Sequence, residues 1–430
     1  MKLLLTGGRI IDPSQNLDDI ADILIENGKI SKIEHTISPS VVKGKGAITY
    51  NLTGKMIVPG LIDIHTHLRE PGFEYKETIR SGAEAAVAGG FTAVACMANT
   101  EPVNDNRSVT EFILKEASRA GYARIYPIAA LSKNLDGKVL TEFADLKNAG
   151  AVGISDDGMP VTDSGLMRSA LEYAHSLKIP VISHCEDKGL AQGGVMNEGF
   201  VSTELGLSGS PDIAEEIMIV RDIILARFTG TSVHIAHVST EGSVDAIRTA
   251  KSSGIRVTAE TAPHYFTLTE EKLRSFSTSL KVYPPLRTHR DLKAIKKGLA
   301  DGTIDAIASD HAPHSSIEKD VEFDYAATGL IGLETSLGLS LALVEEHTLT
   351  MTQLVEKMSV NPARILGIPG GSLRKAFPAD VTIIDPEALW TVDTRHFRSK
   401  SRNCPFDGMT LRGRACMTIV GGEVKYCTDS

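Results

Sequence analysis

Gly60-Leu61-Ile62-Asp63-Ile64-His65-Thr66-His67 runs from an apolar, β-branched stretch into a histidine pair, and the rest of the chain parses outward from it. The run has the length and composition of a buried strand. Residues 78–88 follow with an amphipathic helical pattern that stops at Gly89, as expected just past a helix end. Residues 92–99 then repeat the apolar strand pattern. A strand, a helix and a second strand form the unit from which parallel sheets are built.

The same alternation continues through strand candidates at 124–130, 151–156, 180–185, 232–238, 256–260 and 304–310. Helical stretches at 105–120, 164–177, 212–228, 242–252 and 291–300 lie between them. Eight alternations suit an α/β fold of the closed (β/α)8 TIM-barrel type over residues 59–368. An open doubly wound sheet has the same count and stays open as an alternative.

The two ends read differently. Residues 2–5, 20–26, 29–34 and 47–52 are short strand patterns, and Asn27-Gly28 is a two-residue hairpin signal. Near the other end, 379–384 and 415–420 are strand-like, and Gly421-Gly422 turns the chain back into 423–426. Neither end is large enough for its own core. One small β-sandwich domain built from residues 1–58 and 369–430 is the economical expectation.

Composition narrows the class. The 430 residues are 42% hydrophobic and 23% charged, with a formal net charge of −9. No dense Lys/Arg block occurs, which argues against a nucleic-acid partner. No apolar run is long enough to span a membrane. Five cysteines without Cys-x-x-Cys spacing argue against a disulfide framework or thiolate zinc site, and for a reducing compartment. A cytoplasmic location is the expectation.

His65 and His67 stand two apart at a strand end, so both rings face one side and, ~6–7 Å apart, can share one zinc ion. Such a pair alone is weak. Its weight comes from the other groups: Asp156-Asp157 ends the fourth strand, His184 the fifth, His237 the sixth and Asp310 the eighth. Active-site residues of a (β/α)8 barrel project from those C-terminal ends, so the groups would converge on one mouth. Six ligands exceed what one tetrahedral zinc needs, and two metals follow. The fourth strand carries no lysine to bridge them, and Lys147 precedes that strand at the far end. An aspartate takes the bridge, or the site is mononuclear. Spacing does not choose between Asp156 and Asp157.

These residues resemble the bacterial-type, class I dihydroorotases of the amidohydrolase superfamily. The likeness runs through Pro59–Gly72 and Met97-Ala98-Asn99-Thr100, then Ser155-Asp156-Asp157-Gly158 and Ser183-His184-Cys185-Glu186-Asp187. It continues with His237-Val238-Ser239-Thr240, Pro284-Pro285-Leu286-Arg287, Ser309-Asp310-His311-Ala312-Pro313-His314 and Gly332-Leu333-Glu334-Thr335. The resemblance implies two Zn2+ per chain, one held by His65, His67 and Asp310 and the other by His184 and His237, with Asp157 between them. It implies a metal-bridging hydroxide as nucleophile on the ring amide of dihydroorotate and Asp310 as general acid/base. Run in reverse, the reaction cyclises N-carbamoyl-L-aspartate for pyrimidine synthesis. Arg69, Asn99 and His314 are the implied substrate contacts, with Tyr283 at a fourth. His311 reads as structural, His264 stays outside the site, and Cys185 is a packed thiol.

The pattern departs from the family at two places. Its Lys-x-Asn-Pro-Pro-Leu-Arg segment reads Lys281-Val282-Tyr283-Pro284-Pro285-Leu286-Arg287 here, so a phenol replaces an amide. The usual Pro-Phe before Gly329 is Ala327-Thr328. Both changes lie on the substrate side. The competing readings are a hydantoinase- or allantoinase-like cyclic amidase and a non-catalytic partner of aspartate transcarbamoylase. The latter would be expected to lose metal ligands. The resemblance also allows a homodimer and a complex with aspartate transcarbamoylase.

Overall fold

The computed structural model describes residues 2–42 and 47–428. Both ends of the chain enter one eight-stranded mixed sheet. Its strands lie in the order Glu423–Cys427, Thr410–Val420, Val381–Thr391, Met56–Pro59, Lys2–Asp12, Leu17–Glu26 and Lys29–Glu34, and Ala47–Asn51 pairs alongside Lys2–Asp12. The expected hairpin is present. Asn27 and Gly28 both take positive φ (51° and 76°), and Glu26 pairs with Lys29 across them. The first strand runs further than its apolar start suggests, reaching Asp12 through a register shift between Leu5 and Gly8. Leu3, Leu5, Ile10, Ile23, Ile383 and Ile419 belong to an apolar cluster that this sheet keeps to itself.

Between these ends the chain alternates strand and helix. Leu61–Thr66, Phe91–Cys96, Arg124–Ala129 and Gly153–Ile154 make one four-stranded parallel sheet. Ile182–Ser183, Val233–Ile235, Val257–Thr261 and Ala306–Ile307 make a second. Parallel bridges Ile154↔Val181 and Thr66↔His311 link the two sheets at both of their edges. The curl separates two packed faces. Val94, Cys96, Ile235, Val257 and Ala259 pack on the helix side. Ile62, Ile64, Ala93, Ala95, Ala236, Ala306 and Ala308 form a separate cluster on the other, where small alanines suit a tight concave space.

Helices Ile79–Ala88, Arg107–Ala120, Ser164–Leu177, Ile213–Thr229, Glu241–Ser252 and His289–Ala300 lie close to the expected stretches. Thr78 and Thr288 close capping boxes at two of their N-termini, and Asn106 accepts from Ser108 and Val109 N–H at a third. Gly89 and Gly121 stand at the C-termini of the first two. No helix among the described residues is long and apolar enough to cross a membrane.

Candidate metal centre

The first central strand carries a register shift between Asp63 and Thr66, where its pairing with Phe91–Cys96 slips. Such a bulge breaks strict alternation, which lets His65 reach the concave side that Ile64 also faces. His237 and Asp310 follow short strands with positive φ, 35° and 48°, and Arg69 has φ 65°. Left-handed backbone at non-glycine residues costs on the order of 1–3 kcal/mol each and collects where side chains must be aimed.

The aimed side chains meet around Asp157. Its Oδ2 lies 3.3 Å from His65 Nε2 and 3.4 Å from His67 Nε2. Its Oδ1 lies 3.3 Å from His237 Nε2 and 3.5 Å from His184 Nδ1. One oxygen therefore serves each histidine pair. Asp310 Oδ1 lies 3.3 Å from His67 Nε2 and 3.6 Å from His65 Nε2, closing the first group. His184 Nδ1 and His237 Nε2 approach to 2.7 Å in the second. All six residues sit at or near complete burial.

Asp156 turns the other way. It accepts from the N–H groups of Leu131 (2.7 Å) and Ser132 (2.9 Å) and from the Ser132 hydroxyl, so it fixes a loop. Burial raises its pKa to about 6 against those bonds. Lys147 donates to the Leu177 carbonyl, away from the cluster.

Two groups of this constellation have ligand-atom separations within reach of a single ion: His65, His67 and Asp310, and His65, Asp157 and His237. The buried atoms His65 Nε2 and Asp157 Oδ1 have no hydrogen-bond partner. Buried polar atoms without partners are rare, and imidazole and carboxylate donors aimed at one another suit zinc. The donor set fits a metal.

Charge reinforces the arrangement. Burial opposes ionisation of Asp157, yet His65, His184 and His237 hold its pKa well below the carboxylate range. Burial likewise opposes the charge on Asp310, but His67 and His65 bring it down to about 2. His65 loses to burial and gains more from Asp157 and Glu260, so its pKa rises well above the usual value.

A ring of supporting residues orients these groups. His65 Nδ1–H donates to Glu260 Oε1 at 2.6 Å, and the other Glu260 oxygen meets His234 Nε2 at 3.2 Å. His67 Nδ1 donates to Asn99 Oδ1 at 2.9 Å. Asp63 accepts from the N–H groups of His65 and Ser309, both at 3.1 Å, and ties the first strand to the eighth. Glu260 carries no motif signal of its own. Position was the available clue for Glu260, a carboxylate ending the seventh strand. His311 packs as a strut: it accepts from Gly332 N–H at 3.2 Å and faces Glu77 at 3.4 Å.

Above the cluster opens a cavity of about 450 Å³, lined by Arg69, Asn99, Lys188, Tyr283, Asp310 and His314 among others. Arg69 Nε donates to the Pro313 carbonyl at 3.1 Å, and its Nη2 lies 3.2 Å from His314 Nε2. Burial lowers the Arg69 pKa to about 10, which still leaves it charged. Burial and the cations Arg69, Lys76 and Lys319 push His314 down to about 2, so this ring is neutral. Its Nε2 also meets the Thr328 carbonyl at 2.9 Å. Gly329 has φ +138°, and a Cβ there would stand 2.6 Å from that of Ala312, so this loop passes the site only as glycine.

Tyr283 lines the cavity, but its hydroxyl donates to Glu186. Its ring stacks on His184 at a centroid distance of 5.4 Å. In this arrangement the phenolic hydrogen is held by a carboxylate while the ring lines the cavity. His264, left outside the site, is buried with both ring nitrogens unpartnered, and burial lowers its pKa to about 4. Cys185 points to Ser183 and Asp222.

Solved structures share this architecture. The L-hydantoinase (dihydropyrimidinase) from Arthrobacter aurescens superposes with TM-score 0.89 at 25% identity, covering 100% of this chain and 96% of that one. A dihydropyrimidinase from Brevibacillus agri gives TM-score 0.84 at 21% identity over 99% of this chain and 95% of its own. Fold and site define a cyclic amide hydrolase on an α/β amidohydrolase scaffold. The sequence relatives are more specific. A dihydroorotase of Syntrophus aciditrophicus is 57% identical over 100% of both chains, and one of Geobacter metallireducens is 54% identical over 99% of this chain and 100% of its own. The Dihydro-orotase-like family profile matches residues 54–243. The chain belongs to the dihydroorotase family.

Proposed function

We propose that the chain interconverts N-carbamoyl-L-aspartate and L-dihydroorotate, the ring-closing step of pyrimidine synthesis, at a two-zinc centre. The observation that carries this reading is Asp157, whose two oxygens are divided between the pairs His65/His67 and His184/His237. His65, His67 and Asp310 would hold one ion, His184 and His237 the other, with Asp157 shared. Bound there, zinc supplies Lewis acidity and lowers the pKa of a coordinated water to ~7.

The chain's own groups do the rest. Arg69, charged and buried, faces the cavity as the partner for a substrate carboxylate. Neutral His314 adds a hydrogen bond rather than charge. Asn99 holds the His67 ring through Oδ1 and keeps its amide N–H groups for the cavity. Asp310 is ionised at neutral pH and accepts the proton of the attacking water. The water oxygen bonds to the ring carbonyl carbon, the carbon–nitrogen bond breaks, and the Asp310 proton passes to the departing nitrogen. Cyclisation runs the same transfers backwards.

The architecture proposed with this function is a closed barrel over residues 59–368, supported by the bridges at both edges of the two parallel sheets. Residues 1–58 and 369–430 are proposed as the appended β-domain, in which the one eight-stranded sheet would close as a sandwich around its own cluster.

The test is dihydroorotate hydrolysis by the purified chain, followed by the ring's ultraviolet absorbance before and after chelation and zinc return. Activity lost to chelator and restored by zinc supports both substrate and metal. A chain that carries two zincs and leaves dihydroorotate untouched moves the reading to another cyclic amide.

A further inference from the structure

A second cavity, of about 440 Å³, adjoins the substrate cavity, and His314 lines both. Three cations stand in its wall: Lys319, Lys400 and Arg402. Each donates to backbone carbonyls alone. Lys319 Nζ reaches Ala327 at 2.6 Å and Lys400 Nζ reaches Glu74 at 2.6 Å, while Arg402 serves Phe397, Ser399 and Ser401. None of the three forms an ion pair among the described residues. Lys76 differs, since Glu318 meets its ammonium at 2.7 Å. Lys319 is the unusual member. It is only 7% exposed, and lysines are almost never buried unless paired. The Ala327 carbonyl uses one of its three ammonium donors. Burial and the nearby Lys281 lower its pKa to about 7, with Glu318 acting the other way, so an anion beside it would restore the full charge.

We propose that this cavity is a binding site for a small organic phosphate that carries a planar ring. Its three cations face one lining carboxylate, the exposed Asp320, so a doubly charged oxyanion balances the wall. A phosphate monoester brings close to two charges at neutral pH and three acceptor oxygens, where a carboxylate brings one charge and two. Spread oxygens suit donors that arrive from two separate segments, Lys319 at the end of helix Ser316–Lys319 and Lys400 and Arg402 from the chain after Ser399. Ser279 and Ser316 add hydroxyls to the same wall. The volume falls within the ~300–1,000 Å³ of small-molecule sites and leaves room for more than a bare phosphate. Tyr75, 55% exposed, offers an aromatic ring to the organic part.

The site is independent of which reaction the metal centre performs, so binding alone tests it. Equilibrium dialysis of the full chain uses AMP and UMP as a purine and a pyrimidine probe. At least one of them is expected to bind ~10-fold or more tightly than inorganic phosphate or its own nucleoside. Lys400→Ala with Arg402→Ala removes the two exposed cations and should weaken that binding by ~10–100-fold. Lys319→Met should abolish it, and the exposed pair keeps the test decisive if this buried change unfolds the chain. Arg69→Gln checks the location: Arg69 lines the substrate cavity and not this one, so nucleotide binding should stay unchanged. No nucleotide bound at millimolar concentration, binding indifferent to the double substitution, or binding lost with Arg69 would each overturn the proposal. So would inorganic phosphate held as tightly as either nucleotide.

Discussion

Glu260 accepts the Nδ1 proton of His65 at 2.6 Å, and this holds the ring with Nε2 directed at Asp157 and Asp310. The carboxylate sits in complete burial, where desolvation opposes its charge, and His65 and His234 still bring its pKa down to about 2. A buried carboxylate behind a ligating imidazole raises the ring's basicity and locks its orientation. Glu260→Gln is therefore expected to weaken metal affinity ~10–100-fold. Competition against a chelator of known affinity measures it, and unchanged affinity would remove Glu260 from the site.

Asp157 is the shared oxygen donor of the proposed centre. Asp157→Ala is expected to lower metal content from two ions per chain towards one or none, read by elemental analysis after gel filtration. Asp156→Ala gives the contrast. It should cost stability through the Leu131–Ser132 loop, about 1–3 kcal/mol for buried donors left unmatched, and keep the metal content. Two firmly held ions in Asp157→Ala would place the bridge elsewhere.

Asp310→Ala removes the proposed proton carrier and one ligand of one group. Turnover should fall by at least ~10²–10⁴, the usual contribution of a general acid–base residue. Metal should persist at His184, His237 and Asp157. Near-normal turnover would exclude Asp310 from proton transfer.

Arg69 and Tyr283 separate a charge contact from a wall. Arg69→Gln is expected to raise KM by ~10–100-fold, the loss of a charge-assisted contact worth ~1.5–3 kcal/mol. Tyr283→Phe should change KM by less than about threefold, because Glu186 already takes the phenolic hydrogen. A large KM effect in Tyr283→Phe would restore the phenol as a substrate contact.

Glu334 offers a pH prediction away from the metals. Burial lifts its pKa to about 7, against hydrogen bonds from the Arg398 and Ser399 N–H groups. Its unfolded value is ~4.3, so between the two the native state binds the extra proton and stability falls as pH rises. Glu334→Gln removes that slope. The wild type should lose roughly 1–3 kcal/mol relative to the glutamine variant between pH 5 and 8 in chemical denaturation. Parallel curves would contradict it.

The alternation of apolar strands and amphipathic helices was legible because each central strand is buried on both faces and each outer helix on one. The helix Leu333–Glu345 was not, since nine of its 13 residues are buried and no polar stripe marks its period. Several strands also shrink: 304–310 pairs as a ladder only at Ala306–Ile307, because the chain has left extended geometry by Asp310. At the site, Asp157 could not be told from Asp156 by spacing, since their roles differ only in which way each side chain turns at the end of a two-residue strand. Glu260 and the Tyr283–Glu186 bond lay outside sequence logic because each joins positions far apart in the chain, 195 and 97 residues respectively. The antiparallel and parallel pairings of the terminal sheet were foreseeable in kind but not in order.

That sheet has a consequence for how the chain is made. Met56–Pro59 pairs on one side with Lys2–Asp12 and on the other with Val381–Thr391. During synthesis its second edge stays unpaired until the ribosome has added the whole central region, a delay of roughly 15–65 s at ~5–20 residues per second. For that interval a nascent chain with an otherwise finished interior carries an open strand edge, the kind of surface that captures strands of other chains. A polypeptide truncated before Val381 would keep that edge for its lifetime, so shortening this protein at its C-terminus trades a missing domain for a sticky one.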